Sequence, residues 1–176
     1  MTKTQHGFTL PELLTAVAIV AILAGIAIPT LRQFSANSRT TAANNSLVSA
    51  LALARSEALR RSMPVTVCAS NDSATCAGST DWSIGWIAFT DVNGNGAVDA
   101  PNDQLLQAWN GPSGNVSMTS SPPNAAKFLT YNARGMANLG AKITFNTWVA
   151  GCTGMNRTQL VVTVGGSPQN THIACP

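Results

Sequence analysis

The stretch GFTLPELLTAVAIVAILAGIAI, residues 7–28, is almost continuously apolar and contains one acid, Glu12. A helix of about 20 such residues, rising about 1.5 Å per residue, is long enough to cross a bilayer. Lys3 and His6 precede the stretch, which favours a cytoplasmic location for its N-terminal end. The sequence therefore predicts a membrane-embedded helix, and the acid inside it requires an explanation.

Two ordinary kinds of segment match this stretch in length and polarity. A secretory signal peptide has the same basic start, and the small residues at 25–27 are suited to a cleavage site. A plain membrane anchor has the same apolar length. Neither has a use for Glu12, because an acid inside an apolar helix is costly and usually marks a functional position with a partner.

A third kind of segment is a processed assembly helix. The run Gly7-Phe8-Thr9-Leu10-Pro11-Glu12-Leu13 resembles the class III leader site of type IV prepilins and pseudopilins. The resemblance implies that a prepilin peptidase cuts after Gly7, that Phe8 becomes the N-methylated first residue, and that Glu12 serves assembly. A free amine in lipid needs a counter-charge, which Glu12 of one subunit can supply to Phe8 of its neighbour. Pro11 departs from the usual aliphatic residue, but a proline is harmless in the first turn of a helix.

The helical pattern continues beyond the membrane segment. Apolar residues recur at helical spacing and predict a stripe that packs on a core, namely Leu47, Leu51, Ala54 and Ala58. We expect one helix from about Thr9 to Ser62, with a bend or a local loss of helix near Gly25 and Pro29. The predicted parts are a leader (1–7), a membrane and assembly half (8–29) and an amphipathic half (30–63).

After Pro64 the chain changes to short apolar runs separated by Gly, Asn, Ser and Pro, which is typical of strands joined by turns. The predicted strands are Val65–Ala69, Ile84–Thr90, Gln104–Trp109, Val116–Thr119, Lys127–Tyr131, Lys142–Thr147, Leu160–Val164 and Thr171–Ala174. No later segment has helical periodicity, so an all-helical bundle is not favoured. The predicted class is α+β, with a long N-terminal helix packed on a β-rich two-sheet head, residues 64–176.

The four cysteines fall into two local groups, and four cysteines allow three pairings. We favour Cys68–Cys76 with Cys152–Cys175, which closes two modest loops. The spacing is unlike that of zinc ligands. Charged residues make up only 10% of the chain, against about 25% in soluble domains. Together with two disulfides, this indicates a head that matures in an oxidising compartment.

Several motifs in order along the chain carry a more specific resemblance. The stretches ALALARSEA (50–58), PVTVC (64–68) and GWIAFTDVNGNG (85–96) are similar to the FimT/FimU/GspH family of minor pilins and pseudopilins. The resemblance implies two β-sheets on the C-terminal half of the helix, in a subunit that primes or caps a thin filament. Its implied partners are major and minor pilins, prepilin peptidase, an inner-membrane assembly platform and membrane lipid. Its implied location is a single pass through the bacterial inner membrane with the head in the periplasm, followed by a pilus or pseudopilus.

The loop after the second predicted strand carries oxygen side chains at alternate positions, Asp91, Asn93, Asn95 and Asp99. This spacing matches the start of an EF-hand-like calcium loop. The last ligand position falls on Asn102, without a bidentate Glu, so the predicted affinity is weak. Asn-Gly pairs are also the expected residues of a hairpin turn. We favour the turn and no cofactor, with weak Ca²⁺ binding as the alternative.

Between Leu105 and the C-terminus there is no acid, and there are four basic residues, Lys127, Arg134, Lys142 and Arg157. They form a basic patch for DNA if the fold gathers them, and a solvated surface otherwise. Some members of the resembled family bind DNA through arginines before the last cysteine. Residues 165–172 contain no arginine, so the phosphate contacts of that mode are missing and DNA is not favoured as a partner.

No catalytic constellation is evident in the sequence. His172 is the only histidine after the leader, and no serine lies in a nucleophile elbow, so an enzyme is not predicted. We interpret the chain as a minor pilin that primes or joins a type IV pilus through packing. A type II secretion pseudopilin of the same build and a DNA-binding minor pilin for natural transformation are the alternatives, because the leader and the helix serve both kinds of machine.

Overall fold

The computed structural model describes residues 9–122, 127–137 and 142–175. Gly7 and Phe8 lie outside these residues, so the predicted cleavage and methylation site stays a prediction. Contacts divide the chain into two compact units, Met1–Ser35 and Ala36–Pro176. Each unit is described by itself.

A long helix, α1, spans Leu10–Arg61. It ends where Ser62 adopts a left-handed backbone conformation with φ of 53°, a common helix stop that is reinforced here by Pro64. The backbone is helical through Gly25 and Pro29, so the predicted local loss of helix is wrong. A proline removes one hydrogen bond of the helical ladder, and the bonds on either side keep the backbone helical.

In the first unit the apolar side chains of α1 are exposed. Leu10, Leu13, Leu14, Val17, Val20 and Leu23 each retain 59% or more of their accessible surface. A helix that is apolar all round is stable only where lipid or other helices cover it. This part of α1 therefore has to be covered from outside its own chain.

In the second unit one face of α1 lies on the core. Leu47, Leu51, Ala54 and Ala58 have no exposed surface, which confirms the predicted apolar stripe. The strands form two antiparallel four-stranded sheets. The first contains β1 (Val65–Ala69), β2 (Gly85–Thr90), β3 (Leu105–Asn110) and β5 (Phe128–Tyr131), in the order β3-β2-β1-β5. The second contains β4 (Val116–Ser121), β6 (Ile143–Val149), β7 (Arg157–Val162) and β8 (Pro168–Ile173), in the order β4-β6-β7-β8.

The predicted α+β class, a long helix packed on two sheets, is confirmed. The strands differ from the prediction most at β7 and β8, which begin at Arg157 and Pro168 rather than at Leu160 and Thr171. β8 is an edge strand of mostly exposed polar residues, held by its ladder with β7 from Val162–Pro168 to Arg157–Ile173. Such a strand has no apolar alternation, because backbone pairing rather than side-chain burial defines it.

Large aromatic residues fill the core of the second unit. Trp82 and Phe145 are fully buried and meet edge to face, with ring centroids 4.9 Å apart. The Trp82 indole N–H donates to the Ser120 hydroxyl at 3.0 Å, which provides a partner for the polar atom of a buried ring. Disulfides join Cys68 to Cys76 and Cys152 to Cys175, the local pairing that the sequence favoured.

Candidate functional site

Glu12, the acid of the apolar stretch, lies in the first turn of α1 and is exposed. Its carboxylate accepts hydrogen bonds from the Thr9 backbone N–H at 3.3 Å and from the Thr9 hydroxyl at 3.2 Å. The bond from the Thr9 N–H to Glu12 is one half of a capping box, in which the acid satisfies an N–H that the helix leaves without a partner. Glu12 thus has a role within its own subunit. The sequence reasoning missed it, although the Thr-x-x-Glu spacing was its signal.

The N-terminal part of α1 is also long and apolar enough to cross a membrane. Within the described residues one helix meets that criterion, and no side chain of its most apolar window is buried in the chain. Glu12 lies near the N-terminal end of this apolar window, where its carboxylate is bonded to Thr9 in the first turn of the helix. The arrangement can anchor the chain in a bilayer and pack against other apolar helices.

The loop between β2 and β3 is organised by Asp91, a fully buried acid. Its carboxylate accepts hydrogen bonds from the Thr66 hydroxyl at 2.7 Å, from the Gly96 N–H at 2.9 Å and from the Asn95 N–H at 3.1 Å. Thr66 also contacts the Thr130 hydroxyl at 2.6 Å. Asp91 therefore ties the loop to the neighbouring strands β1 and β5 through donors of the protein itself.

The other acids of the same loop are also bonded within it. Asp99 accepts from the side-chain amides of Asn93 at 2.9 Å and Asn95 at 2.7 Å. Asp103 accepts from the backbone N–H groups of Val92 and Asp99. Among the described residues, no group of three or more His, Cys, Asp or Glu is arranged to hold a metal ion. The acids of this loop thus accept hydrogen bonds from N–H and O–H groups of the chain itself, and the loop is closed as a turn by its own side chains.

The four basic residues of the C-terminal half do not form one patch. Lys142 directly precedes β6, and Arg157 opens β7. The antiparallel pairing of Ile143 with Val162 and of Thr147 with Thr158 places Lys142 and Arg157 at opposite ends of the two strands. At about 3.4 Å per residue, that separates them by about 20 Å. This separation of Lys142 and Arg157 was not predictable from the sequence, because it depends on the register in which β6 pairs with β7.

The remaining two basic residues flank β5. Lys127 precedes this strand and Arg134 follows it, and pairing with β1 sets Phe128 opposite Cys68 and Tyr131 opposite Val65. The two therefore lie at opposite ends of an edge strand of the first sheet. Arg157 instead lies over the ring of Trp148, with 5.2 Å to the ring centroid, and its buried Nε has no hydrogen-bond partner among the described residues. A cation–π contact of this kind ties Arg157 to its own sheet.

Sequence reasoning missed a cationic position on α1. Arg55 donates from Nη1 to the Ser167 hydroxyl in the β7–β8 turn at 3.2 Å. Beside it the buried Tyr131 hydroxyl donates to the Gly166 carbonyl at 3.0 Å. Burial raises the pKa of Tyr131 to about 12, against a small opposing effect of Arg55. Arg55 thus lies beside the segment 165–172, which carries no arginine of its own, and no local pattern joins residues 112 positions apart.

Comparisons with known proteins bear on both parts of the chain. Residues 43–167 match the family described as type II transport protein GspH, and residues 2–28 match the prokaryotic N-terminal methylation motif. The chain is 36% identical over 94 residues to a fimbrial protein of Pseudomonas aeruginosa, covering 53% of this chain and 56% of that protein. It thus spans about half the length of the curated relatives it matches.

The fold is similar to that of a solved minor pilin. The type IV minor pilin FimU of Pseudomonas aeruginosa superposes with a TM-score of 0.59 and 22% identity, covering 79% of this chain and 90% of that one. A second crystal form of FimU gives a TM-score of 0.57, covering 77% of this chain and 99% of that one. At this identity the likeness concerns the fold, a long helix with a two-sheet head.

Proposed function

The chain belongs to the GspH family, a family of structural pilin subunits, and from this premise we propose that it is a minor pilin that primes or joins a type IV pilus. The observation that carries the proposal is the exposed apolar surface of α1 in the first unit, with one acid in its first turn. Lipid covers such a surface before assembly, and the helices of other subunits cover it afterwards. The subunit acts by packing, and the proposal assigns it no catalytic role and no cofactor.

The proposal includes a processed N-terminus. A prepilin peptidase would cut after Gly7, Phe8 would be N-methylated, and the assembly platform of the inner membrane would receive the mature chain. The head would lie in the periplasm, which is consistent with Lys3 and His6 before the apolar stretch and with disulfides in the head. The match of residues 2–28 to the N-terminal methylation motif supports this reading.

Mass analysis of the N-terminus tests the processing. The protein would be extracted from membranes of its own host, digested, and searched for its first peptide. We expect a peptide that starts at Phe8 and carries one extra methyl group. A mature chain that starts near Ile28 would instead indicate that a secretory signal peptide had been removed, and it would contradict the proposal that the chain is a pilin.

Glu12 is proposed to pair with the N-terminal amine of a neighbouring subunit in addition to capping its own helix. The variant Glu12→Gln keeps an oxygen that accepts from the Thr9 N–H but removes the charge, whereas Glu12→Ala removes both. If the charge pairs with a neighbour, both variants lose more than about tenfold of their incorporation into sheared filaments, because an unpaired amine in an apolar surrounding is costly. If capping is the whole role, Glu12→Gln assembles normally, and the pairing is refuted. Thr9→Val, which loses only the hydroxyl contact, is the matched control.

A pseudopilin of a type II secretion system is the second candidate, favoured by the description of the matched family. The relatives described as fimbrial favour the pilus. Deletion of the gene separates the two. Loss of surface pili and twitching with normal export of secreted enzymes supports the pilus, and the reverse pattern supports the secretion machine.

A DNA-uptake role is a weaker candidate. The four basic residues of the C-terminal half lie at opposite strand ends, and residues 165–172 lack arginine. Phosphate contacts need several cations close together. Gel shifts of the detergent-extracted protein at low salt, with and without Arg134→Ala and Arg157→Ala, test this role. We expect no arginine-dependent shift.

A further inference from the structure

An open groove lies in the second unit where α1 meets the β7–β8 turn and the end of β5. Its volume is about 210 Å³, and its lining includes Leu51, Ala52, Arg55, Leu59, Tyr131 and Pro168. We call it the α1–β8 groove. Ala52 and Leu59 are exposed at its mouth, so the groove is accessible from outside the chain.

The walls of the α1–β8 groove are held in place by contacts within the chain. The Tyr131 hydroxyl fixes the Gly166 carbonyl at 3.0 Å, and the Ala137 N–H donates to the Val164 carbonyl at 3.0 Å. Gly166 has a φ of 77°, and a Cβ on it would lie 2.8 Å from the Tyr131 ring. Glycine is required there by both backbone conformation and space. The groove is therefore formed before any partner arrives.

Large apolar side chains are exposed next to the groove. Leu59 is 50% exposed, Met136 40% and Val164 48%. The backbone on either side of Met136 approaches the other two, because a Cβ on Gly135 would lie 3.2 Å from the Leu59 side chain and the Ala137 N–H is bonded to the Val164 carbonyl. Single exposed apolar residues are ordinary, but several together beside a formed groove are typical of an interaction surface.

The charge of the groove is unbalanced. The hydrogen-bond partner of the Arg55 side chain is the neutral Ser167 hydroxyl, whereas the ion pairs among the described residues join Arg60 and Arg61 to Glu57. The other acids of the second unit lie in the loops before and after β2, at Asp72, Asp81, Asp91, Asp99 and Asp103. From Leu105 onward the chain has no acid. Among the described residues no ion pair includes Arg55, so its guanidinium is open to a carboxylate from another molecule.

We propose that the α1–β8 groove docks a neighbouring pilin subunit through a segment that places an aliphatic side chain next to a carboxylate, an inference that rests on the proposed function. The aliphatic group packs against Leu59 and Pro168. The carboxylate accepts a charge-assisted hydrogen bond from Arg55 in place of the one to Ser167. The exposed apolar neighbours favour a protein over a nucleic acid, because phosphates would use the cation and leave those side chains uncovered.

Photo-crosslinking of the full-length chain in its own host tests the proposal. Benzoylphenylalanine would be placed at Ala52 in the groove and, as a control, at the exposed Gln107 of β3. We expect a crosslink at Ala52 to a subunit with a methylated pilin N-terminus, and none at Gln107. Arg55→Glu should reduce this crosslink by more than about tenfold, because two like charges would then face each other. Arg55→Lys should retain most of it.

Two further variants separate docking from folding. Leu59→Ser alters an exposed side chain and should also weaken the crosslink, while Lys127→Glu reverses an exposed charge at the far end of β5 and should leave it unchanged. Near-UV circular dichroism of the extracted variants would verify that they fold. An Ala52 crosslink that is insensitive to Arg55→Glu, or that joins the chain to DNA, overturns the proposal.

The outcomes also distinguish a failure of the docking proposal from a failure of the proposed function. If the wild-type chain is processed and enters filaments while Arg55→Glu and Leu59→Ser enter equally well, the groove is not a docking site and the function stands. If the wild-type chain is neither processed nor found in filaments, the proposed function fails. In that case the proposal that the α1–β8 groove is a docking site stands only if the Arg55-dependent crosslink to a pilin-type subunit is still found.

Discussion

Replacing Gly166 by Ala tests whether the β7–β8 turn is fixed on Tyr131 in the way that the groove requires. Gly166 has a left-handed backbone, and an added Cβ would lie 2.8 Å from the Tyr131 ring and 2.9 Å from the Gly135 carbonyl oxygen. A left-handed Ala costs about 1–2 kcal/mol, and an overpacked contact adds about 1–3 kcal/mol. We therefore expect a loss of about 3 kcal/mol in the free energy of unfolding.

Gly165→Ala is the matched control, one residue away. Within the part of the chain that the structure describes, a Cβ on Gly165 would meet the Thr163 hydroxyl at 3.8 Å, an ordinary contact, and its backbone is not left-handed. Its expected effect is within about 0.5 kcal/mol. Both variants carry the same added methyl group, so the difference between them isolates the conformation and the contact with Tyr131.

Thermal unfolding of the full-length protein in one detergent, followed by near-UV circular dichroism, measures the effect. For a chain of this size about 1 kcal/mol corresponds to about 2–4 °C. Gly166→Ala should therefore lower the Tm by about 6–12 °C, and Gly165→Ala by less than about 2 °C. Equal Tm values for the two variants would refute the packing of the turn on Tyr131, and with it the preformed wall of the groove.

Three more predictions follow from the second unit. Leu51→Ala should lower the free energy of unfolding by about 2–5 kcal/mol because Leu51 is fully buried. Leu59→Ala should lower it by less than about 0.5 kcal/mol. If urea titrations gave the same loss for both variants, the assigned buried face of the helix would be wrong. Millimolar Ca²⁺ should leave the Tm unchanged because the acids of the β2–β3 loop are already bonded within the protein, and a saturable rise would reveal a calcium site. Hydrogen bonds from Arg60 and Arg61 lower the pKa of Glu57 from 4.5 to about 2. The ion pair thus stabilises the fold above pH 4.5 and loses this effect as the pH falls toward 2. Unfolding of wild type and Glu57→Gln should differ slightly at pH 6 and converge near pH 2, and a difference that persists at pH 2 would contradict the pairing.

Much of the fold was predictable because its elements follow from the spacing of residue types that are close together in the chain. The periodicity of Leu47, Leu51, Ala54 and Ala58 identified the buried face of α1, and short apolar runs between turn residues identified the eight strands. The ends of β7 and β8 were not predictable in the same way. β8 is polar at residues 169–172 and ends on Ile173, so the sequence indicated only its C-terminal part, and the pairing with β7 sets where it begins.

Some features of the candidate site were also predictable from the sequence, and others were not. Glu12 was identified because an acid in an apolar helix has a cost that demands a reason, yet its bond to Thr9 emerged from the structure. The calcium spacing was equally visible in the sequence. The structure decided how the loop uses those oxygens, because the Asp91 carboxylate is bonded to Thr66, a residue of β1.

The sequence by itself determined the long apolar helix, the α+β class and the number of strands, because each follows from spacing between neighbours along the chain. Only the tertiary structure decided which cations lie together. The register of β6 on β7 holds Lys142 and Arg157 apart, while the packing of α1 brings Arg55 to Ser167 across 112 positions. Contacts between residues that distant depend on how whole elements pack, and no local pattern encodes them.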